Sequence, residues 1–320
     1  ATPVAAALRR AHPGARITWV ADRGYLDLVR CNPHLDRAVA FDHTGLHRGP
    51  SGIQRLAREI GPADLVVDLQ HKMRSVLLAR HLRPARRKSL VKRRGFGLIR
   101  ALLGRDAVLG APHQIERYLA VLDNGTGPDP AAVPLLVIDP ADAARAADML
   151  PRPGRAPLIG IVPGARHATK CWTPARTAAL ADRAQDEGLR VVLLGGDDDG
   201  PLAASVTGAM RTAAPPVCTG GSLGLLGALL ARCDLVVSPD SGPAHMAAAL
   251  GVAVVTLFGP TSPARWAPRG AGSRVVRLDL PCSPCSNHGN ETCPLGTLDC
   301  MRGLDVDRVW PAVCSLLGEE

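Results

Sequence analysis

The residues best suited to chemistry stand in one run, Leu235-Val-Val-Ser-Pro-Asp240-Ser241-Gly242-Pro-Ala-His245-Met-Ala-Ala-Ala-Leu250-Gly251. An apolar β-branched stretch leads into a carboxylate, a hydroxyl and a glycine, and then into an Ala-rich stretch. That order predicts a buried strand, a tight turn and a helix beginning at Gly242. Backbone N–H groups at such a helix start attract a phosphate or hold sugar hydroxyls, and Asp240 can accept hydrogen bonds from a sugar diol. His245, one turn in, is expected to face the same ligand. The competing reading is that Asp240 or Ser241 merely caps the helix.

Three other groups carry chemical potential. Lys170 is the only Lys after position 92 in a chain whose basic residues are otherwise almost all Arg, and a point charge on a flexible stem suits a diphosphate. Cys282-x2-Cys285-x7-Cys293-x6-Cys300 has thiolate spacing compatible with a structural Zn site, because a C-x2-C hairpin presents two ligands to one ion. The second pair lacks that spacing, so two disulfides or four free thiols are the alternatives. No His stands beside these thiols in a nucleophile arrangement, which argues against a catalytic Cys. Residues 83–105 hold nine Arg or Lys and no Asp or Glu. Arg86, Arg87, Arg93 and Arg94 in that stretch are candidates for an anionic acceptor, against the plainer reading of a solvated face. Phe96 is the one aromatic there, too few to stack nucleobases, so nucleic acid is not expected as a partner.

The formal charge of +9 carries less weight than this clustering, since heavy Arg, Ala and Gly usage also follows from a GC-rich genome. No apolar run approaches the roughly 20 residues that span a bilayer, and the N-terminus has no signal-peptide pattern. The nine Cys are an odd number and mostly scattered, which suits a reducing compartment. A soluble, cytoplasmic protein is the expectation.

Short β-branched runs alternate with Ala/Leu-rich stretches at helical spacing, the pattern of βα units feeding parallel sheets. The first half predicts strands near Ile17–Val20, Ala38–Phe41, Leu65–Leu69 and Leu135–Ile138, with helices near Ser51–Ile60, Arg74–His81 and Gln114–Leu122. The second half predicts strands Leu158–Val162, Arg190–Leu194, Leu235–Ser238, Val252–Leu257 and Arg274–Leu278. Helices near Pro174–Glu187, Pro201–Arg211, Leu223–Ala231 and Gly242–Leu250 fall between them. The Pro/Gly/Arg segment 151–157 marks the boundary between domains 1–152 and 153–320, the second carrying a Cys-rich loop, 282–300, and a terminal helix. Two doubly wound Rossmann-like α/β domains facing a cleft are expected, with ligands at the carboxyl ends of the strands. A dinucleotide fingerprint is lacking: Gly221-Ser-Leu-Gly224-Leu-Leu-Gly227 has the wrong spacing for nicotinamide chemistry. Ala1-Thr-Pro-Val resembles the interior of a first helix, so a first strand and loop are expected upstream of it.

Asp-Ser-Gly-Pro-Ala-His after a strand, followed by Leu257-Phe-Gly-Pro-Thr-Ser-Pro263, resembles the donor-site pattern of glycosyltransferase family 9, the lipopolysaccharide heptosyltransferases. Asp68-Leu-Gln, Pro163-Gly-Ala-Arg166, Lys170-Cys-Trp172, Leu194-Gly-Gly-Asp197 and the terminal Cys pattern agree, so the likeness covers essentially the whole chain. It implies the GT-B fold and an inverting transfer of a heptosyl residue from ADP-L-glycero-D-manno-heptose to the lipopolysaccharide inner core at the inner membrane surface. No cofactor would be required for catalysis, and a structural Zn is the one cofactor considered. By the same resemblance Lys170 meets the donor diphosphate, while Asp240, Ser241, Gly242 and His245 hold the donor sugar and phosphates. Gly164, Ala165 and Arg166 face the pyrophosphate, mainly through the main chain because Ala165 stands where the family often has Thr. Asp197 completes the expected donor set. The family's base, an Asp in a Gly-Asp pair after the first strand, has no counterpart in the sequence, so the catalytic residue is left unassigned. Transfer of another sugar, a sugar-nucleotide epimerase and a non-catalytic nucleotide-sugar-binding module are the alternatives.

Overall fold

The computed structural model describes residues 1–90, 112–122, 132–151, 154–270 and 272–318. These residues form two compact units that divide after Val137.

The second unit is an α/β layer structure around one six-stranded sheet. Its strands are β5 (Leu158–Ile161), β6 (Arg190–Gly195), β7 (Val217–Thr219), β8 (Leu235–Pro239), β9 (Ala253–Phe258) and β10 (Ser273–Arg277). They lie in the order β10-β9-β8-β5-β6-β7, with every pairing parallel. Helices cover both faces of such a sheet, so its central strands are apolar throughout and not alternating. Accordingly β5 and β8 are buried at every position. Ile159, Ile161, Leu193, Leu235, Val237 and Leu257 form the core with Trp172 and Trp310. The Trp172 indole N–H donates to the Leu304 carbonyl at 2.9 Å, which satisfies the polar edge of a ring only 3% exposed. The strand order reverses beside β5 and β8, so the loops after these two strands flank a switch point where doubly wound sheets bind ligands.

The boundary falls earlier than the sequence implies. The helix Pro140–Met149 belongs to the second unit, because its C-terminal end is tied there. Arg232 Nε donates to Leu150 O at 2.7 Å, and Arg190 donates to Pro151 O at 2.9 Å. The Pro/Gly segment therefore follows the first element of the second unit.

In the first unit, β1 (Thr18–Asp22) pairs parallel with β2 (Arg37–Phe41), and β3 (Leu65–Asp68) pairs parallel with β4 (Arg86–Ser89). Helices Gly49–Ile60 and Met73–Leu82 follow β2 and β3, and their apolar faces meet in a small core of Val39, Ile53, Leu56, Leu78 and Leu82. Among the described residues no ladder joins the two strand pairs. The expected strand at 135–138 forms no strand and pairs with none of the described sheets. Its Leu135 N–H donates to Thr2 Oγ1 at 3.0 Å, and Pro134 before it has no donor to offer a ladder.

Candidate functional site

The turn after β8 is built as its sequence requires. The Asp240 N–H continues the ladder by donating to Leu257 O at 3.1 Å, and the eight-residue helix Gly242–Ala249 starts at once with Pro243 in its first turn. Ser241 occupies the N-cap position in extended conformation, yet no side chain caps this helix. The Ser241 hydroxyl instead lies 2.9 Å from Ser238 Oγ. Asp240 also turns away from the helix. Its Oδ2 accepts from Thr261 Oγ1 at 2.7 Å and pairs with Lys170 Nζ at 3.3 Å. The capping explanation of Asp240 and Ser241 therefore fails: no side chain caps the start of this helix, where an anion is favoured.

A cavity of about 240 Å³ opens at this turn, lined by Arg166, Lys170, Asp240, Ser241, Gly242 and His245 together with Trp266, Asn287 and His288. Two basic side chains and a helix N-terminus face a single carboxylate there, so the cavity favours an anion. Trp266 and His288 have ring centroids 5.2 Å apart, and the Arg265 guanidinium lies over the indole at 5.1 Å. Partial desolvation of the His288 imidazole pushes it below its ordinary pKa, and Arg265, Lys170 and His167 push the same way against Asp240.

Six of the expected donor residues thus line one cavity. The remaining three are placed otherwise. Gly164 and Ala165 are not among its lining residues, and the Ala165 carbonyl accepts a 3.6 Å contact from Cys171 Sγ. A Cβ on Gly164 would coincide with the Asp199 carboxylate, and one on Gly195 would sit 2.6 Å from Asp199 Cβ. Asp199 also accepts from Gly196 N–H at 2.8 Å, so it pins together the loops after β5 and β6. Asp197 does not line the cavity; its Oδ1 accepts from Gly221 N–H at 2.9 Å and ties the loop after β6 to the one after β7.

The four Cys expected to bind metal converge on one place in the fold. Cys282, Cys285, Cys293 and Cys300 all line one small, largely apolar cavity, yet among the described residues no three His, Cys, Asp or Glu side chains are gathered closely enough to hold a metal ion. The four are free thiols carried by different local structures. Cys293 receives backbone N–H groups of Leu298, Leu295, Gly296 and Thr297, which lower its pKa. Cys300 is buried in the helix Asp299–Arg302 and is pushed up to about 11 by burial and by the other three thiols.

In the first unit, Arg86 lies exposed on β4, whereas Arg87 donates to the buried Asp68 carboxylate at 3.3 Å. Asp68 also accepts from Gln70 N–H, His71 N–H and Ser75 Oγ. Arg87 is therefore held by the fold. Arg93 and Arg94 lie outside the described residues.

Trp266, Asn287 and His288 were not singled out from the sequence. The only signal they carry is rarity: Trp266 is one of four Trp in a chain with 3% aromatics. Asn287 and His288 sit in an aperiodic loop.

The model of glycosyltransferase family 9 (heptosyltransferase) matches residues 53–295. Lipopolysaccharide heptosyltransferase 2 of Escherichia coli K12 is 33% identical over 179 residues, which is 52% of this chain and 51% of that protein. The chain thus spans about half the length of the curated relatives first matched. The crystal structure of the glycosyl transferase family 9 from Veillonella parvula DSM 2008 superposes with a TM-score of 0.84 at 28% identity, covering 100% of this chain and 93% of that one. The structure of E. coli ADP-heptose lps heptosyltransferase II shares the fold, with a TM-score of 0.75 at 22% identity over 99% and 94% of the two chains. With its fold and most of its length matched in this way, the chain belongs to glycosyltransferase family 9.

Proposed function

We propose that the protein is an inverting glycosyltransferase that moves a heptosyl residue from ADP-L-glycero-D-manno-heptose to the lipopolysaccharide inner core. The observation that carries this reading is the Lys170–Asp240 pair beside the uncapped helix start at Gly242. It sets a cation and backbone donors for a diphosphate within reach of a carboxylate suited to sugar hydroxyls. The names of the matched relatives, a lipopolysaccharide heptosyltransferase and an ADP-heptose heptosyltransferase, supply the sugar and the nucleotide.

In the transfer, an acceptor hydroxyl oxygen attacks the anomeric carbon from the face opposite the diphosphate. The bond from that carbon to the phosphate oxygen breaks, its electron pair stays with ADP, and the acceptor proton passes to a base. Lys170, Arg166 and the N–H groups at Gly242 offset the negative charge that grows on the departing diphosphate. Asp240 is already engaged by Lys170 and Thr261, which suits holding a substrate hydroxyl better than taking its proton. A lipid-linked acceptor places the enzyme at the cytoplasmic surface of the inner membrane. Among the described residues no helix is long and apolar enough to cross a membrane. Arg86, with Arg93 and Arg94, would meet the anionic acceptor and lipid surface.

Product analysis by mass spectrometry, with ADP-heptose supplied with and without an inner-core acceptor, tests the reading. A heptosylated acceptor and free ADP are expected. Consumption of the donor without transfer, or an epimerised donor, would overturn it.

A further inference from the structure

Lys170 ends a three-residue 3-10 turn, Ala168–Lys170, and no helix or strand ladder fixes the direction of its side chain. What holds the turn is the Cys-rich segment. Thr169 is 3% exposed, and its hydroxyl donates to Asn290 O at 2.6 Å while accepting from Asn290 N–H at 2.9 Å. The Thr169 N–H reaches the same Asn290 carbonyl at 3.2 Å. Next to this clamp, the backbone of Gly289, at φ +94°, lies so close that a Cβ there would sit 2.9 Å from Lys170 Cγ and 3.0 Å from His167 Cβ. His167 Nδ1 and Glu291 Oε1 form a flanking pair at 2.9 Å, too open to water to contribute much.

The segment is itself anchored on the other side of the cavity. The N–H groups of Cys285 and Ser286 both donate to Pro260 O, at 3.0 and 2.8 Å, and Pro260 precedes the Thr261 that bonds Asp240. One aperiodic segment therefore braces both partners of the Lys170–Asp240 pair.

We propose that Thr169 is a positioning residue for Lys170: its hydroxyl fastens the turn to the Asn290 backbone so that the ammonium is held in the cavity lining beside Asp240. This rests on the reading that Lys170 meets the donor diphosphate. Replacing the hydroxyl by a methyl group, as in Thr169→Val, keeps the volume and leaves the Asn290 N–H without its acceptor. Thr169→Ser keeps the clamp.

The test is a double-mutant cycle read by calorimetric titration of the full chain with ADP. Thr169→Val is expected to weaken ADP about tenfold and Thr169→Ser less than about twofold, whereas Thr169→Val added to Lys170→Ala should change affinity little. A residue that merely supports the fold would lower affinity equally in both backgrounds, and that result overturns the proposal, as does full affinity in Thr169→Val. Should the Val variant not fold, Gly289→Ala carries the same cycle by pressing on the Lys170 stem. Unchanged ADP affinity in Lys170→Ala alone would remove the diphosphate reading itself, and this inference with it. A loss there combined with no coupling to Thr169 or Gly289 would remove only the inference.

Discussion

Lys170 Nζ stands 3.3 Å from Asp240 Oδ2, and that same oxygen accepts the Thr261 hydroxyl at 2.7 Å. Both side chains of the pair are largely buried, at 12% and 8% exposure, so each depends on the other for compensation until a ligand arrives. A diphosphate bound in the cavity would compete with Asp240 for the ammonium. Lys170→Ala is therefore expected to weaken ADP binding by about 1.5 to 3 kcal/mol, the loss of a charge-assisted hydrogen bond. Calorimetry with ADP measures this directly, and unchanged affinity would take Lys170 out of the site.

Asp240→Asn should separate nucleotide from sugar. Removing the carboxylate frees Lys170 for phosphate, so ADP affinity is expected to stay level or rise, while turnover with the sugar nucleotide falls. Steady-state kinetics beside ADP titration would show the split. Wild-type turnover in this variant would leave Asp240 only its bonds to Thr261 and Lys170.

The two described arginines of β4 should behave differently. Arg87→Ser deprives the buried Asp68 of its cation and is expected to cost about 1 to 3 kcal/mol of stability, seen as a lowered unfolding midpoint. Arg86→Ser should leave the midpoint in place but raise the acceptor Michaelis constant and blunt its salt dependence. Equal changes in donor and acceptor constants would instead indicate damage to the fold.

His288 gives a pH signature. Burial and the cations Arg265, Lys170 and His167 depress its pKa below the ordinary 6.5, so protonation favours the unfolded chain and stability is lost as pH falls below that value. A bound diphosphate reverses the local field. ADP is expected to raise the His288 titration midpoint in NMR spectra, and ADP affinity should accordingly increase as pH falls through the bound-state midpoint. A midpoint indifferent to ADP would show that His288 does not face the bound anion.

Periodicity carried the second unit well. Strands such as Leu235–Pro239 and Ala253–Phe258 are continuous apolar runs bounded by turn residues, and the Asp240–His245 turn follows from them. It failed where pairing, and not composition, makes the element. Arg86-Arg-Lys-Ser89 has no apolar alternation and becomes a strand only because β3 offers a ladder edge. The wall formed by Trp266, Asn287 and His288 was illegible for a related reason: its loop is held by scattered contacts to Pro260 and Thr169, which leave no period in the sequence. Asp197 and Asp199 show a third limit. Each stands next to the expected loop, but their bonds to Gly221 and Gly196 fix neighbouring turns to one another.

The carboxylate of Asp199 fills the space that side chains at positions 164 and 195 would need. Inheritance at these three sites is consequently linked. A saturating mutational library should tolerate almost nothing but Gly at 164 and 195 while Asp199 is present, and a shortened residue at 199 should act as an intragenic suppressor, reopening position 164 to Ala. Such a pair would be nearly invisible to single-substitution surveys and would emerge only as paired change between lineages.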